Sequence, residues 1–290
     1  MKKDTLHHFI FENIPIRGIL VQLNDTWKSL QGRKNYPDPI RFYLGEFIAA
    51  NALLAATLKL EGSLIMQIQG DGPVNLMVME CTSDRHLRGL AKYKEPINSH
   101  TLQDLFGDGR LTMTIDNKKT GERYQSIVEL TGDSIKVALE EHLQKSEQLD
   151  TVLFLATDQE NACGLLLQKL PGEFDADEDN WNRATQIAAT IRNDELFSLS
   201  AEEIIHRLFN EDDVRLLDSE NYFFKCSCSR ERVASMLVTL GQEEVHDILK
   251  EQGNIDIDCE FCNEHYQFDE VDAKELFATN FHHPTSKTKH

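Results

Sequence analysis

Cys226-Ser227-Cys228-Ser229-Arg230-Glu231-Arg232-Val233 and, further on, Cys259-Glu260-Phe261-Cys262-Asn263-Glu264-His265-Tyr266-Gln267-Phe268 hold a C-x-C and a C-x-x-C pair. Each pair is close enough in sequence to present two thiolates to one ion, and the chain between them is long enough to fold back and join all four. A tetrahedral, all-sulfur zinc site at Cys226, Cys228, Cys259 and Cys262 is therefore expected. Bound metal keeps sulfurs ionised and masks them from casual attack. An oxidant strong enough to reach them would eject the ion, and sequence neighbours, Cys226 with Cys228 and Cys259 with Cys262, can then oxidise to local disulfides. Spacing alone leaves a structural staple and a redox sensor both open.

Around the cysteines the apolar pattern is sparse. Val233, Met236, Leu237 and Leu240 share a helical face that stops at Gly241, residues 243–249 make a second short helix, Ile255 and Ile257 lead as a strand into the second pair, and Tyr266 and Phe268 alternate on the way out. So small a core cannot hold together alone, and metal ligation must supply much of its folding free energy. The module is read as residues 226–280, with a loose tail at 281–290. His265, three residues past Cys262, is read as a surface or packing residue because the sulfur set is complete without it. His7, His8, His282 and His283 are read as disordered ends.

Upstream, residues 171–225 carry 14 acidic against 5 basic residues, a net of −9. Trp181, Ala184, Ile187, Ala188 and Ile191 nevertheless have helical spacing, and Ser200-Ala201-Glu202-Glu203 is a capping box ahead of Ile204, Ile205, Leu208 and Phe209. This stretch reads as an acidic amphipathic helical linker whose apolar stripe covers the N-terminal body, with like-charge repulsion keeping it a movable part.

Residues 1–170 read as an α+β body. Strand patterns at 16–23 and 64–68, Val74, Leu76 and Val78 after the Gly70-Asp71-Gly72-Pro73 turn, and 111–115 with 126–130 flanking the 117–121 turn imply hairpins and an antiparallel or mixed sheet. Residues 40–58 are apolar or alanine nearly all round, a well-buried helix. Ile135, Ala138, Leu139 and Leu143 share one helical face, and 151–156 with 164–167 make a closing hairpin. Cys81 and Cys163, in apolar strands with no partner motif, read as buried core thiols.

Composition bounds the function. The 290 residues carry a formal charge of −19 with pI near 4.9, a field that repels phosphate backbones and anionic lipid, so neither nucleic acid nor membrane is an expected partner. Nothing resembles a signal peptide or a membrane span, which gives a cytoplasmic expectation, where thiols stay reduced and a cysteine cluster holds metal. There is no Walker loop, G-x-G-x-x-G, G-x-S-x-G or H-E-x-x-H, so the chain is not expected to be an enzyme or to use ATP.

The two cysteine stretches, with Leu240-Gly241-Gln242-Glu243-Glu244 and Asn180-Trp181-Asn182-Arg183-Ala184, closely resemble the heat-shock-protein-33 family of redox-regulated holdase chaperones, and the resemblance extends along the whole chain. It implies an N-terminal α+β domain, a helical linker and a C-terminal zinc domain. All four thiolates carry over as ligands of one zinc ion and as the residues that become the redox-active disulfides Cys226 with Cys228 and Cys259 with Cys262. The reduced, zinc-bound form would be inactive. Oxidation would release zinc, unfold the module and linker, and uncover apolar surface on linker and body that captures unfolding client proteins without ATP, the active form being a homodimer. The alternative is an adaptor or nucleic-acid-binding protein with a purely structural zinc module; a thiol-disulfide oxidoreductase using Cys259 and Cys262 lacks the thioredoxin-like βαβ pattern.

Overall fold

The computed structural model describes residues 4–58, 60–130, 132–171 and 178–280. The chain divides into two compact units, 1–225 and 226–290.

In the first unit the described elements are, in order, β1 (Thr5–Phe11), β2 (Ile16–Leu23), α1 (Asp25–Gln31), α2 (Asp38–Thr57), β3 (Gly62–Gln69), β4 (Val74–Thr82), β5 (His86–Tyr93), α3 (Leu102–Phe106), β6 (Arg110–Asn117), β7 (Arg123–Glu129), α4 (Ile135–Glu147), β8 (Thr151–Thr157), β9 (Ala162–Lys169), α5 (Glu178–Ala188), α6 (Asn193–Ser198), α7 (Ala201–Phe209), β10 (Val214–Asn221) and β11 (Phe223–Phe224). They form a five-stranded sheet, β10-β1-β2-β9-β8, and a six-stranded sheet, β11-β5-β4-β3-β6-β7. All pairings are antiparallel except the short β11–β5 bridge, the mixed sheet structure expected from the hairpin signals.

Helix α2 packs on strands of both sheets. That explains its composition: with Ile40, Leu44, Phe47, Ile48, Leu53 and Leu54 all buried, little of its surface is left for a polar stripe. The five-stranded sheet is covered on both faces. Along β2, Ile19, Val21 and Leu23 join the α2 core, while Ile16 and Leu20 join a second core with α5, α6 and α7. A strand buried on both faces reads as a continuous apolar run, which is why β2 and β9 are plain in the sequence.

Two features go beyond or against the sequence reading. First, the helices α5–α7 make the amphipathic helical segment expected, but the end of that stretch is strand: β10 pairs with β1 at the edge of the five-stranded sheet. Second, His7 and His8 are not disordered. They lie in β1, held between β2 and β10 by backbone pairing (His7 opposite Leu20 and Ser219), and Leu6 and Phe9 of the same strand are fully buried.

The second unit contains α8 (Arg230–Leu240), α9 (Gln242–Gln252), β12 (Ile255–Asp258), β13 (His265–Phe268) and α10 (Glu270–Asn280). β12 and β13 form an antiparallel hairpin. Gly241, at φ 105°, ends α8 and opens α9, a left-sided conformation that other residues adopt only under strain. The core is Leu237, Val245, Leu249, Ile255, Phe268 and Ala273. Helix α10, which adds Ala273, is not anticipated by the sequence pattern. The tail at 281–290, with His282 and His283, lies outside the described residues.

Candidate metal centre

Ser229 sets the first cysteine pair. It caps α8, accepting from Arg232 N at 3.3 Å, so Cys226 and Cys228 lie immediately ahead of the helix start. The second pair occupies the β12–β13 turn. Cys262 N and Asn263 N donate to Cys259 O at 3.3 and 2.7 Å, Cys259 N donates to Glu264 O at 2.9 Å, and Asn263 takes the left-handed φ of 57° that asparagine tolerates. The turn therefore folds tightly back on itself and brings both sulfurs to one side.

The four sulfurs lie within 4.8 Å of one another. Cys226 Sγ and Cys259 Sγ are 3.6 Å apart, and Cys228 Sγ and Cys262 Sγ 3.3 Å. A tetrahedral ion with metal–sulfur bonds of about 2.3 Å requires sulfurs about 3.8 Å apart. The cluster is thus of the size that a four-thiolate ion demands, and the four cysteines can hold a metal ion.

The protonation pattern agrees. Burial opposes charge on Cys226, yet the backbone N–H of Cys228 and the other three thiols donate toward it and bring its pKa down to about 7. Burial first, then the neighbouring sulfurs, push Cys262 up; burial likewise raises Cys228 against the opposing Tyr266 hydroxyl. Sulfurs this close cannot all be anions without a cation among them, so charge is favoured on Cys226 and disfavoured on Cys228 and Cys262. A dication supplies the missing counter-charge.

Three side chains support the cluster and are not singled out by spacing. The Tyr266 hydroxyl donates to Cys228 Sγ at 3.2 Å, tying β13 to the first pair. Arg232 Nη1 donates to Ser227 O, the residue between the first two cysteines, at 2.8 Å. Arg230 donates to Gln267 O at 2.7 Å, pairs with Asp272 at 2.8 Å and lies 4.2 Å over the Phe268 ring. Tyr266 was visible only as one member of an alternating apolar pair; its hydroxyl contact arises from the hairpin's approach to α8. His265 stays apart from the sulfurs, exposed and paired with Asp258 at 2.8 Å and Asp256 at 3.2 Å. Cys81 and Cys163 are buried in the two sheets, and burial pushes Cys81 up to about 12.

The profile of the Hsp33 protein family matches residues 4–269. This chain belongs to the Hsp33 family. It is 47% identical over 289 residues to the 33 kDa chaperonin of Methylobacillus flagellatus, covering 99% of each chain, and 43% identical over 288 residues to that of Nitrosococcus oceani, again 99% of each. The crystal structure of the 33 kDa chaperonin (Hsp33 homologue) of Thermotoga maritima superposes with a TM-score of 0.83 at 21% identity, covering 97% of this chain and 99% of that one. The shared Hsp33 fold thus includes both the two-sheet unit and the cysteine unit. Among the described residues no helix is long and apolar enough to cross a membrane.

Proposed function

We propose that the protein is a redox-regulated, ATP-independent holdase chaperone of the cytoplasm, which captures unfolding proteins once oxidation opens its cysteine unit. The observation that carries this reading is a four-sulfur cluster joining the lead into α8 to the β12–β13 turn, in a unit whose buried apolar core has six members among the described residues. The ion is zinc: four soft thiolates in a tetrahedral arrangement match its preference. When bound, zinc holds the sulfurs as thiolates and couples the lead into α8 to the β12–β13 turn.

The chain's own residues do the rest. Oxidation removes two electrons from each thiolate pair and forms one S–S bond per pair; one peroxide per pair takes those electrons with two protons from solvent and leaves as two waters, and the disulfides no longer retain the ion. Sulfur proximity does not choose the partners, because the cross-pair contacts at 3.6 and 3.3 Å are as short as any disulfide precursor needs. Function does choose. Cys226 with Cys228 and Cys259 with Cys262 leave α8 and the hairpin free to separate, whereas cross-pair bonds would keep the unit clamped. With the clamp gone, so small a core cannot keep the unit folded. The surface for clients, in this reading, is the apolar face of the five-stranded sheet that α5–α7 cover, and the active form is a homodimer.

The test measures zinc, free thiols and suppression of client aggregation on one preparation, before and after peroxide with mild heating, and maps the disulfides by peptide mass spectrometry. One zinc and four thiols lost together with a gain in suppression is the expected result. Equal suppression by the reduced, zinc-loaded protein, or cross-pair disulfides in the active form, would reject the switch.

A further inference from the structure

Arg17, Gln168 and Thr151 stand side by side in register on β2, β9 and β8, on the face of the five-stranded sheet that turns Ile19 and Leu166 toward α2. Arg17 Nε donates to Gln168 Oε1 at 2.9 Å, and Arg17 Nη2 donates to the same oxygen. Gln168 Nε2 donates onward to Thr151 Oγ1 at 2.8 Å, and the Thr151 hydroxyl donates to Leu149 O at 3.2 Å. Gln168 is 1% exposed and Thr151 7%, so this relay fixes the guanidinium in one orientation. A guanidinium carries five N–H donors, of which Gln168 takes two. No carboxylate among the described residues pairs with Arg17, and burial draws its pKa down. A part-buried cation with donors to spare and no counter-charge is costly to keep, and a hydrophobic residue would fill the place at less cost.

Arg17 lines a cavity of about 240 Å³ at the end of α2, whose walls include Leu54, Leu58, Met113, Ile115 and Leu143. His142, also in the wall, is held toward its neutral form by burial, against a smaller opposing pull from Glu147. Glu147, the one acid among the lining residues, is solvent-exposed at the rim. Apolar walls around a single oriented cation are the complement of one class of molecule. We propose that this cavity binds a small amphipathic carboxylate, its head group on the free N–H groups of Arg17 and its apolar tail along Leu54, Met113 and Ile115. An apolar cavity of roughly 150 Å³ takes benzene, so the available space suits about ten non-hydrogen atoms. The proposal stands on the first unit alone and does not depend on the redox reading.

The test titrates octanoate and octanol into the reduced, full-length, isotopically labelled protein and follows nuclear magnetic resonance shifts. Octanoate is expected to saturate one site, moving the Gln168 side-chain amide, Arg17 Nε–H and the amides of β6 and β7, and to bind about tenfold or more tighter than octanol, as a charge-assisted bond to arginine implies. Arg17→Met should erase that preference. Ser126→Phe leaves the Arg17 relay intact but fills the wall of the cavity, and should weaken both ligands. Shifts that do not saturate or that spread over the surface, octanol binding as tightly as octanoate, or Arg17→Met retaining octanoate affinity within twofold would overturn the assignment.

Discussion

Phe209→Ala should loosen the helical cover of the five-stranded sheet without oxidant. Phe209 closes α7, is 2% exposed, and packs edge-on against Phe11 with ring centroids 5.0 Å apart and against Phe9 at 6.1 Å. Truncating a buried phenylalanine costs about 3–5 kcal/mol. Phe9 and Phe11 are held in place by the pairing of β1 with β2 and β10, so the loss falls on the docking of α5–α7 and not on the sheet. At about 1.4 kcal/mol per power of ten, the undocked population should rise roughly a hundredfold to several thousandfold. Hydrogen exchange on the reduced, zinc-loaded protein reads this directly: amides of α5–α7 should exchange faster while those of β3 and β4 do not change. Light scattering of a thermally unfolding client enzyme should then show suppression without peroxide. Unchanged exchange in α7 would show that the aromatic contact does not hold the cover, and faster exchange without client capture would show that the face beneath it is not the capturing surface.

Tyr266→Phe deletes the hydroxyl that donates to Cys228 Sγ at 3.2 Å; a hydrogen bond to a charged sulfur is worth roughly 1.5–3 kcal/mol, so zinc affinity in a chelator competition should fall about tenfold or more with the fold intact. Thiol labelling after zinc removal should modify the four cluster cysteines under native conditions while Cys81, buried in the α2 core with its thiol pushed up to about 12, reacts only in denaturant; native labelling of Cys81 would contradict its placement. Glu46, on α2, has a carboxyl that burial, partly offset by Lys136, pushes up to about 7. Its raised folded-state pKa favours folding while the group is protonated, a contribution complete below its unfolded value and lost as pH rises to about 7. Glu46→Gln should therefore raise stability at pH 8 by about 1–2 kcal/mol, discounted for partial exposure, and change it little at pH 4.5; thermal melts at the two pH values check the sign.

What the sequence made legible follows from how each residue is used. α2 and β2 were plain because their environment is nearly uniform: buried over most of their surface, they are apolar over most of it. The cysteine pairs were plain because sulfur pairs at these spacings have few other uses. β1 and β10 were hidden for the opposite reason. β1 divides its side chains between two cores, Leu6 into one and Phe9 and Phe11 into the other, with His7 and His8 between, and β10 is an edge strand whose Arg215, Leu217, Asp218 and Ser219 face solvent. Their strand identity comes from backbone pairing to each other across more than half the chain, and local propensity does not record it. Helix α10 is likewise defined by Ala273 packing into the small core more than by its own periodicity. The relay from Arg17 through Gln168 to Thr151 was invisible because its members are joined only by strand register.

The placement of β10 alters how the acidic segment can move. Helices α5–α7 run from β9, in the interior of the five-stranded sheet, to β10 at its edge, so both ends of the helical cover are anchored in the sheet it covers. Undocking the helices breaks apolar contacts and the Gln22 Nε2 hydrogen bonds to Leu196 O and Leu199 O at 2.7 and 2.9 Å, whereas freeing β10 would break a whole ladder with β1. The cheaper opening therefore keeps the sheet whole and presents a ready-made apolar face, including Phe9, Ile16, Leu20, Leu165 and Leu167. Charge does not hold this cover shut. The four arginines of the segment are already matched, Arg183 with Asp212, Arg192 with Asp194, Arg207 with Glu195 and Arg215 with Glu12, and none of these pairs ties the helices to the sheet face they cover. The surplus acids stay solvated whether the helices are docked or not. In the proposed switch, closure rests mainly on the apolar stripe of Ala184, Leu196, Ile204, Ile205, Leu208 and Phe209, while the acids would keep the opened surface, and whatever it held, in solution. Stripe and charge act on different states, so a substitution in one should change the opening equilibrium and a substitution in the other the solubility of what is captured.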